Sequence, residues 1–394
     1  MKIATDKAKI EELLTRGVDQ VVDKAHLKKQ LLSGKKLRVK LGIDPTSPNL
    51  HLGRGVALLK LRDFQELGHQ LIFIVGDFTG VIGDTSDKFA ERPMLDEKTV
   101  KANLKTYIEQ AGKLIDTTKA EVEFNSKWLS KLSFADIAKM ADAFSLHEFI
   151  ARKNIKDRLD KGSRVSLREL LYPLMQGYDS VAIKADVELG GSDQWFNLLA
   201  GRTLQAYFGQ PAQNIITNNL ILGTDGRKMS SSWGNTINFT DSPEDMFGKV
   251  MSIPDEQIIS YFEHCTRVPL LMVRQFAKQL EAGRVNPRDI KLSLALEITT
   301  LFWGNKKAAT AQDYFERVFS KKETPHDLAA IKANGKSIVE ALVLAKLVMS
   351  KGEARRVIEQ GGVEIDGKKI SRLDIVLKTG SIIKKGKKGF VRIK

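Results

Sequence analysis

Between an alternating apolar run, Leu37 to Ile43, and a stretch with helical apolar spacing, Val56 to Leu67, the chain places Pro48-Asn-Leu-His51-Leu-Gly53. Alternation, a turn, then apolar residues at Val56, Leu59, Leu61 and Phe64 predict strand, turn and helix in that order. A second strand-like run, Leu71 to Val75, leads straight into the glycine-rich Val75-Gly-Asp-Phe-Thr79-Gly80-Val-Ile-Gly83-Asp84. Strands alternating with helices imply an α/β fold with a parallel sheet, which binds its ligands at the carboxyl ends of the strands. Backbone N–H groups at a helix start are unpaired and carry the positive end of the dipole, so a triphosphate can lie against them. Gly53 would let a flat ring or phosphate approach the backbone. The glycine-rich run has neither the dinucleotide-binding spacing nor the P-loop lysine.

Far along the chain, Gly223-Thr-Asp-Gly226-Arg-Lys228-Met-Ser-Ser-Ser232 follows another strand-like run, Ile215 to Leu222. This loop brings a lysine point charge and three hydroxyls that can close over a leaving group. The imidazole of His51 can donate to phosphate oxygens that gain charge only as pyrophosphate departs, a contact that raises rate rather than affinity. Together the two stretches point to the activation of an acid on the α-phosphate of ATP.

A third feature lies between them. Ser166 to Asp186 reads as a helix, with Ser166 as cap and Glu169 at the capping-box spacing. Tyr172, Gln176, Asp179 and Ile183 then share one face. A row of hydroxyl, amide and carboxylate on an otherwise apolar helix is costly to bury without partners. A polar ligand meets that need, and so does a structural network against neighbouring backbone.

The two signatures, in this order within one α/β domain, resemble the HIGH and KMSKS signatures of the class I aminoacyl-tRNA synthetases. Tyr172-Pro-Leu-Met-Gln176-Gly-Tyr-Asp179 and Gly190-Gly191-Ser-Asp193-Gln194-Trp195 resemble the amino-acid pocket and ribose site of the tyrosine-specific family. Motifs match from about Leu37 to Asn235 and again at the C-terminal end. The resemblance implies a Rossmann-like catalytic domain and formation of tyrosyl-adenylate, followed by transfer to the 3′ end of a tyrosine tRNA. It implies that Asp179 accepts a hydrogen bond from the substrate phenol, while Tyr172, Gln176 and Asp84 hold the ammonium group. Asn125 and Trp128 lie near that ammonium, and Gln194 faces the tyrosine. By the same resemblance Gly42, Asp44, His51, Gly53, Arg54, Gly191, Asp193, Lys228, Met229 and Ser230 bind ATP, with Asp193 on the ribose. Thr46, His51, Lys228 and Ser231 carry the catalysis, and Lys88 and Arg92 form a mobile basic pair for pyrophosphate. ATP enters as a substrate with Mg2+, no tightly bound cofactor or protein-held metal is expected, and the family is homodimeric.

Three positions depart from the family pattern. Arg54 replaces the second histidine of HIGH and cannot be neutral. Lys40 stands where many members place a tyrosine that donates to the phenol. Ser231 replaces the second lysine of KMSKS, leaving more of the transition-state load on Lys228.

With 394 residues there is room for two or three domains. The one cysteine, Cys265, rules out disulfides within the chain and reads as a small buried apolar residue. No apolar run approaches the ~20 residues of a membrane span, and the N-terminus lacks a signal-like apolar segment, so a cytoplasmic protein is expected. The catalytic domain is expected over 1–234. From 235 to 327 the pattern is helical, with starts at Ser242-Pro, Ile253-Pro and Val285-Asn-Pro. The resemblance gives this region contact with the anticodon stem; a plain scaffold fits its motif-free sequence equally well.

A linker is expected over 328–335. Residues 336–394 then hold 15 Lys and Arg against 6 Asp and Glu, a net of +9 out of the chain's +15. Such a concentration of charge marks a polyanion binder. A short basic helix ending at Gly361-Gly362 and a hairpin turning at Asp366-Gly367 resemble the small ribosomal-protein RNA-binding module attached to bacterial members of the family. Arg355 and Arg356 would face phosphates, and Lys384 and Lys385 would add to that surface or form a solvated tail. Two other assignments remain open: the tryptophan-specific relatives, which share both signatures, and a catalytically idle RNA-binding paralogue.

Overall fold

The computed structural model describes residues 3–84, 94, 96–320, 328, 330–386 and 389–394. They form two compact units, Met1–Ala309 and Thr310–Lys394.

In the first unit, β1 (Val18–Val22), β2 (Arg38–Ile43), β3 (Gln70–Val75), β4 (Glu121–Phe124), β5 (Val187–Gly191) and β6 (Asn214–Asn218) make a six-stranded sheet in the order β1-β6-β5-β2-β3-β4. Every pairing is parallel except β1 with β6. A parallel sheet is covered on both faces and its central strands need unbroken apolar runs; Leu71 to Val75 in β3 are all fully buried. Chain order runs from β2 through β3 to β4 on one side and from β5 to β6 on the other. The reversal between β2 and β5 opens a crevice at their carboxyl ends.

The predicted strand, turn and helix is present as β2 followed by the Leu52–Glu66 helix, which starts just after His51. The helix expected from Ser166 to Asp186 spans Leu167–Ile183 and opens on the Ser166/Glu169 capping box, a device worth about 1 kcal/mol. It stops where Lys184 turns left-handed, at φ 52°.

The helical stretch beyond 235 falls, as far as Ala309, within the same compact unit as the six-stranded sheet. Its main helices are Pro243–Met251, Ile258–Cys265, Leu270–Glu281 and Pro287–Trp303. Ser242 and Asn286 cap two of them, each with proline in the first turn, where a missing N–H costs nothing. Arg267 pairs with Asp63 of the Leu52–Glu66 helix at 2.9 Å, and the Tyr261 hydroxyl donates to the Leu222 carbonyl after β6. The first tie joins the helices to the helix that follows His51, and the second joins them to the segment after β6. Cys265 is buried, as a small apolar residue would be, and its thiol is pushed up to about 12 by that burial.

In the second unit, β7 (Ala330–Ile331), β8 (Val363–Ile365), β9 (Lys368–Lys369), β10 (Ile382–Lys385) and β11 (Gly389–Ile393) form a sheet in the order β7-β11-β10-β8-β9. The helices Ile338–Leu344 and Lys351–Glu359 supply Ile338, Leu342, Ala354 and Ile358 to its core. The expected linker 328–335 is corrected here: Ala330–Ile331 pairs in parallel with Arg392–Ile393, and Ala333 is fully buried. A two-residue strand is too short to leave a periodic signal. Asp366 and Gly367 both take positive φ, 50° and 79°, as a tight hairpin turn of matching twist requires. Among the described residues no helix is long and apolar enough to cross a membrane.

Candidate functional site

The crevice at the carboxyl ends of β2 and β5 is a cleft of about 1050 Å3. Residues predicted from both halves of the sequence meet in its walls: Gly42, Asp44, Thr46, His51, Gly53 and Arg54 from the β2 side, and Gly191, Asp193, Gln194, Lys228, Met229, Ser230 and Ser231 from the β5 and β6 side. Asp84, Asn125, Tyr172, Gln176 and Asp179 line it as well.

The polar face of the Leu167–Ile183 helix forms one wall. Asp179 is buried and accepts from Trp128 Nε1 at 2.7 Å and from Asn125 Nδ2 at 3.3 Å. Burial pushes its carboxyl up to about 7, against the opposing pull of Lys40 and of the Trp128 and Asn125 donors. Two of the four lone-pair directions of a carboxylate are used, so acceptor capacity remains for a ligand. Two helical turns back, the Tyr172 hydroxyl donates to Asp44 Oδ2 at 2.8 Å, and Thr79 donates to Asp44 Oδ1 at 2.7 Å. Asp44 is likewise pushed up by burial, to about 6. It can sit there because the residue after β3 is Gly76; a Cβ at that position would lie 2.0 Å from Asp44 Oδ1. Gln194 donates to Asp84 Oδ2 at 2.7 Å, and Asn197 holds Gln194 in turn at 3.0 Å.

Across the cleft, His51 precedes the first turn of its helix, is 7% exposed, and has no hydrogen-bond partner at Nδ1. Burial, with smaller contributions from the positive Arg54 and Lys228, depresses the imidazole to about 3. The ring is therefore neutral at physiological pH. Arg54 reaches Thr46 Oγ1 at 3.3 Å. The lysine loop folds back over the helix start: Gly53 N–H donates to Met229 Sδ at 3.3 Å, and Ser231 reaches Ser47 at 3.3 Å. Lys228 Nζ is 2.8 Å from Asp193 Oδ2.

Lys40 is the correction in this region. It is fully buried and absent from the cleft lining, its ammonium donating to the Gln176 carbonyl and to Ser180 Oγ of the Leu167–Ile183 helix. There it meets Glu188 of β5 at 2.8 Å rather than the ligand space. Lys88 and Arg92 lie outside the described residues. In the second unit Arg355 and Arg356 are exposed on the basic helix. Lys384 and Lys385 are not a tail: both belong to β10, where Lys384 contacts Glu364 at 3.3 Å and Lys385 donates to the Leu347 carbonyl at 2.7 Å.

Sequence reading missed Thr79, which donates to Asp44 and accepts from Asn125 at 2.9 Å, and it missed Glu188. Glu188 did leave a signal. Val187-Glu188-Leu189 and Val39-Lys40-Leu41 each hold one charge inside a buried apolar strand, and opposite charges so placed need each other. Thr79 left none, since a threonine in a glycine-rich loop is ordinary turn chemistry.

Comparison with known proteins adds an independent line. A family model described as tRNA synthetases class I (W and Y) matches residues 32–320, and one described as the tyrosine–tRNA ligase SYY-like C-terminal domain matches residues 316–393. The tyrosine–tRNA ligase of Thermotoga maritima is 44% identical over 97% of this chain and 96% of its own length. That of Dehalococcoides mccartyi strain 195 is 46% identical over 97% of this chain and 98% of its own. Among solved structures, tyrosyl-tRNA synthetase from Archaeoglobus fulgidus complexed with L-tyrosine superposes with a TM-score of 0.62 at 22% identity, covering 78% of this chain and 100% of that one. A truncated mitochondrial tyrosyl-tRNA synthetase from Aspergillus nidulans gives 0.66 at 20% identity, covering 80% and 95%. The solved structures show the shared fold, while identity of this order over nearly the full length, together with both family models, makes the chain a member of the tyrosine–tRNA ligase family of class I aminoacyl-tRNA synthetases.

Proposed function

We propose that the chain activates L-tyrosine with ATP and transfers the tyrosyl group to the 3′ end of tyrosine tRNA. The observation that carries this reading is a single cleft with a buried carboxylate, Asp179, in the same lining as the neutral His51 and the cationic Lys228. Asp179 accepts the phenol O–H, and Tyr172, Gln176 and Asp84 receive the ammonium group. Asn125 and Trp128 act through Asp179, since both donate to it. Phenylalanine offers no donor and leaves the carboxylate desolvated, so a site built in this way discriminates by hydrogen bonding rather than by size.

The tyrosine carboxylate attacks the α-phosphorus in line, the bond to the bridging oxygen breaks, and pyrophosphate leaves with Mg2+ as part of the nucleotide substrate. No protein nucleophile is involved. Positioning and charge stabilisation carry the rate. His51 offers an N–H to the phosphates without adding charge. Thr46, Arg54, Lys228 and Ser231 stand around the same space, and Gly42, Gly53, Gly191, Met229 and Ser230 shape the nucleotide bed with Asp193 on the ribose. In the second step the terminal ribose hydroxyl of the tRNA attacks the acyl carbon and AMP departs. Arg355 and Arg356 contact tRNA phosphates, and the assembly is a homodimer. ATP–pyrophosphate exchange with tyrosine, tryptophan and phenylalanine tests the reading; exchange that favours tryptophan, or no exchange with any of them, overturns it.

A further inference from the structure

Directly behind the Leu167–Ile183 helix, two charged side chains lie wholly inside the protein. Lys40 and Glu188 are register partners on the adjacent parallel strands β2 and β5, so both project from the same face of the sheet. Their exposures are 0% and 1%. The three ammonium protons of Lys40 are all accounted for: Glu188 Oε1 at 2.8 Å, the Gln176 carbonyl at 2.9 Å and Ser180 Oγ at 2.8 Å. Glu188 also accepts from the Gln176 side-chain amide at 3.2 Å and from Ser180 Oγ at 3.0 Å, and Gln213 donates to it from beyond.

Burying two ions costs several kcal/mol each, and apolar residues of the same shape often serve stability as well or better. An ion pair kept at the centre of a sheet therefore invites a role besides stability. Its position supplies one. Gln176 lines the cleft on one side and is held by the pair on the other. Asp179, three residues further along the helix, feels both charges.

Resting on the tyrosine reading above, we propose that Lys40 and Glu188 act as a positioning pair, which fixes the Gln176 amide toward the substrate and sets the charge on Asp179. Among the described residues the groups acting on Asp179 are Lys40 from β2, Glu188 from β5, Asn125 and Trp128 after β4, and Tyr172 on its own helix. Of these only Lys40 is cationic. It favours the carboxylate that a phenol O–H requires, whereas Glu188 opposes it. In this chain a buried cation acting from behind thus supports phenol recognition, in place of a hydroxyl donating to the phenol directly.

The two charges predict opposite effects, which a simple loss of packing does not. Tyrosine-dependent ATP–pyrophosphate exchange is measured against pH in the full chain, as kcat/KM for tyrosine. Lys40→Met should move the acid-side midpoint up by about one pH unit or more, the scale set by one nearby opposite charge. Glu188→Gln should move it down, and Lys40→Met/Glu188→Met, with no charge left buried and unpaired, should fall between the two. Shifts of the single variants in the same direction, or no shift in either, overturn the proposal. Thermal unfolding against pH follows Asp179 without substrate and must show the same opposite signs. A wild type that exchanges no tyrosine defeats the functional reading alone, and the unfolding profiles then still decide for or against the pair.

Discussion

Lys228 Nζ lies 2.8 Å from Asp193 Oδ2, joining the serine-rich loop to the short turn after β5. Their side chains are 29% and 21% exposed, so the attraction is partly screened and worth about 1 kcal/mol at most. Binding of ATP would separate them, with the ribose taking Asp193 and the phosphates Lys228. If, as proposed, the Lys228 charge acts on departing pyrophosphate, Lys228→Ala should slow tyrosyl-adenylate formation by about 10²-fold or more while changing the tyrosine KM far less. Single-turnover adenylate formation measures this, and an unchanged rate would place the loop outside the chemistry. Asp193→Ala should instead raise the KM for ATP.

Asp179→Asn keeps the shape of the carboxylate and removes its charge. Tyrosine activation should fall far more than phenylalanine activation, narrowing the preference by roughly 1–3 kcal/mol. The ratio of kcat/KM for the two amino acids checks it. A ratio equal to wild type would remove Asp179 from phenol recognition.

The same carboxyl makes a stability prediction with a definite sign. In the fold it titrates near 7, above its ordinary value of 3.8. The folded state therefore holds the proton more tightly than the unfolded chain, and stability falls as pH rises from about 4 through 7. Asp44, pushed up to about 6, adds a decline over the lower part of that window. Asp179→Asn should gain on wild type as pH rises across it. Chemical denaturation at several pH values would show this, and a difference that stays flat would refute the shift.

Arg54 reaches Thr46 at 3.3 Å and lines the cleft beside His51. If the guanidinium serves the nucleotide, Arg54→Ala should lower adenylate formation, and Arg54→His should restore part of the loss through an imidazole N–H. A silent alanine variant would leave His51 to act there alone.

Truncation after Ser320 removes the whole small sheet, β7 included. Adenylate formation should stay nearly intact, since every cleft residue lies earlier in the chain, while tRNA aminoacylation weakens. The full chain should also lose tRNA affinity steeply with salt, and the truncated one less so, as expected when phosphate contacts are removed. Loss of adenylate formation in a truncated protein that still folds would contradict this division of labour.

The strand, turn and helix around His51, the capping box at Ser166 and the polar row Tyr172, Gln176 and Asp179 were all readable in advance, because caps and periods are local properties of a few consecutive residues. So was the hairpin at Asp366-Gly367, where the turn itself demands positive φ. Partnerships across the sheet were not readable. Trp128 reaches Asp179, and Thr79 reaches Asp44, only because β2, β3 and β4 stand side by side. Lys40 illustrates the limit most clearly: sequence placed it at a position facing substrate, and strand register turned it to Glu188 instead. A residue's neighbours within one element follow from its spacing in the chain, but its partner on another strand depends on how the strands are ordered and aligned, which only the packing of the whole sheet decides.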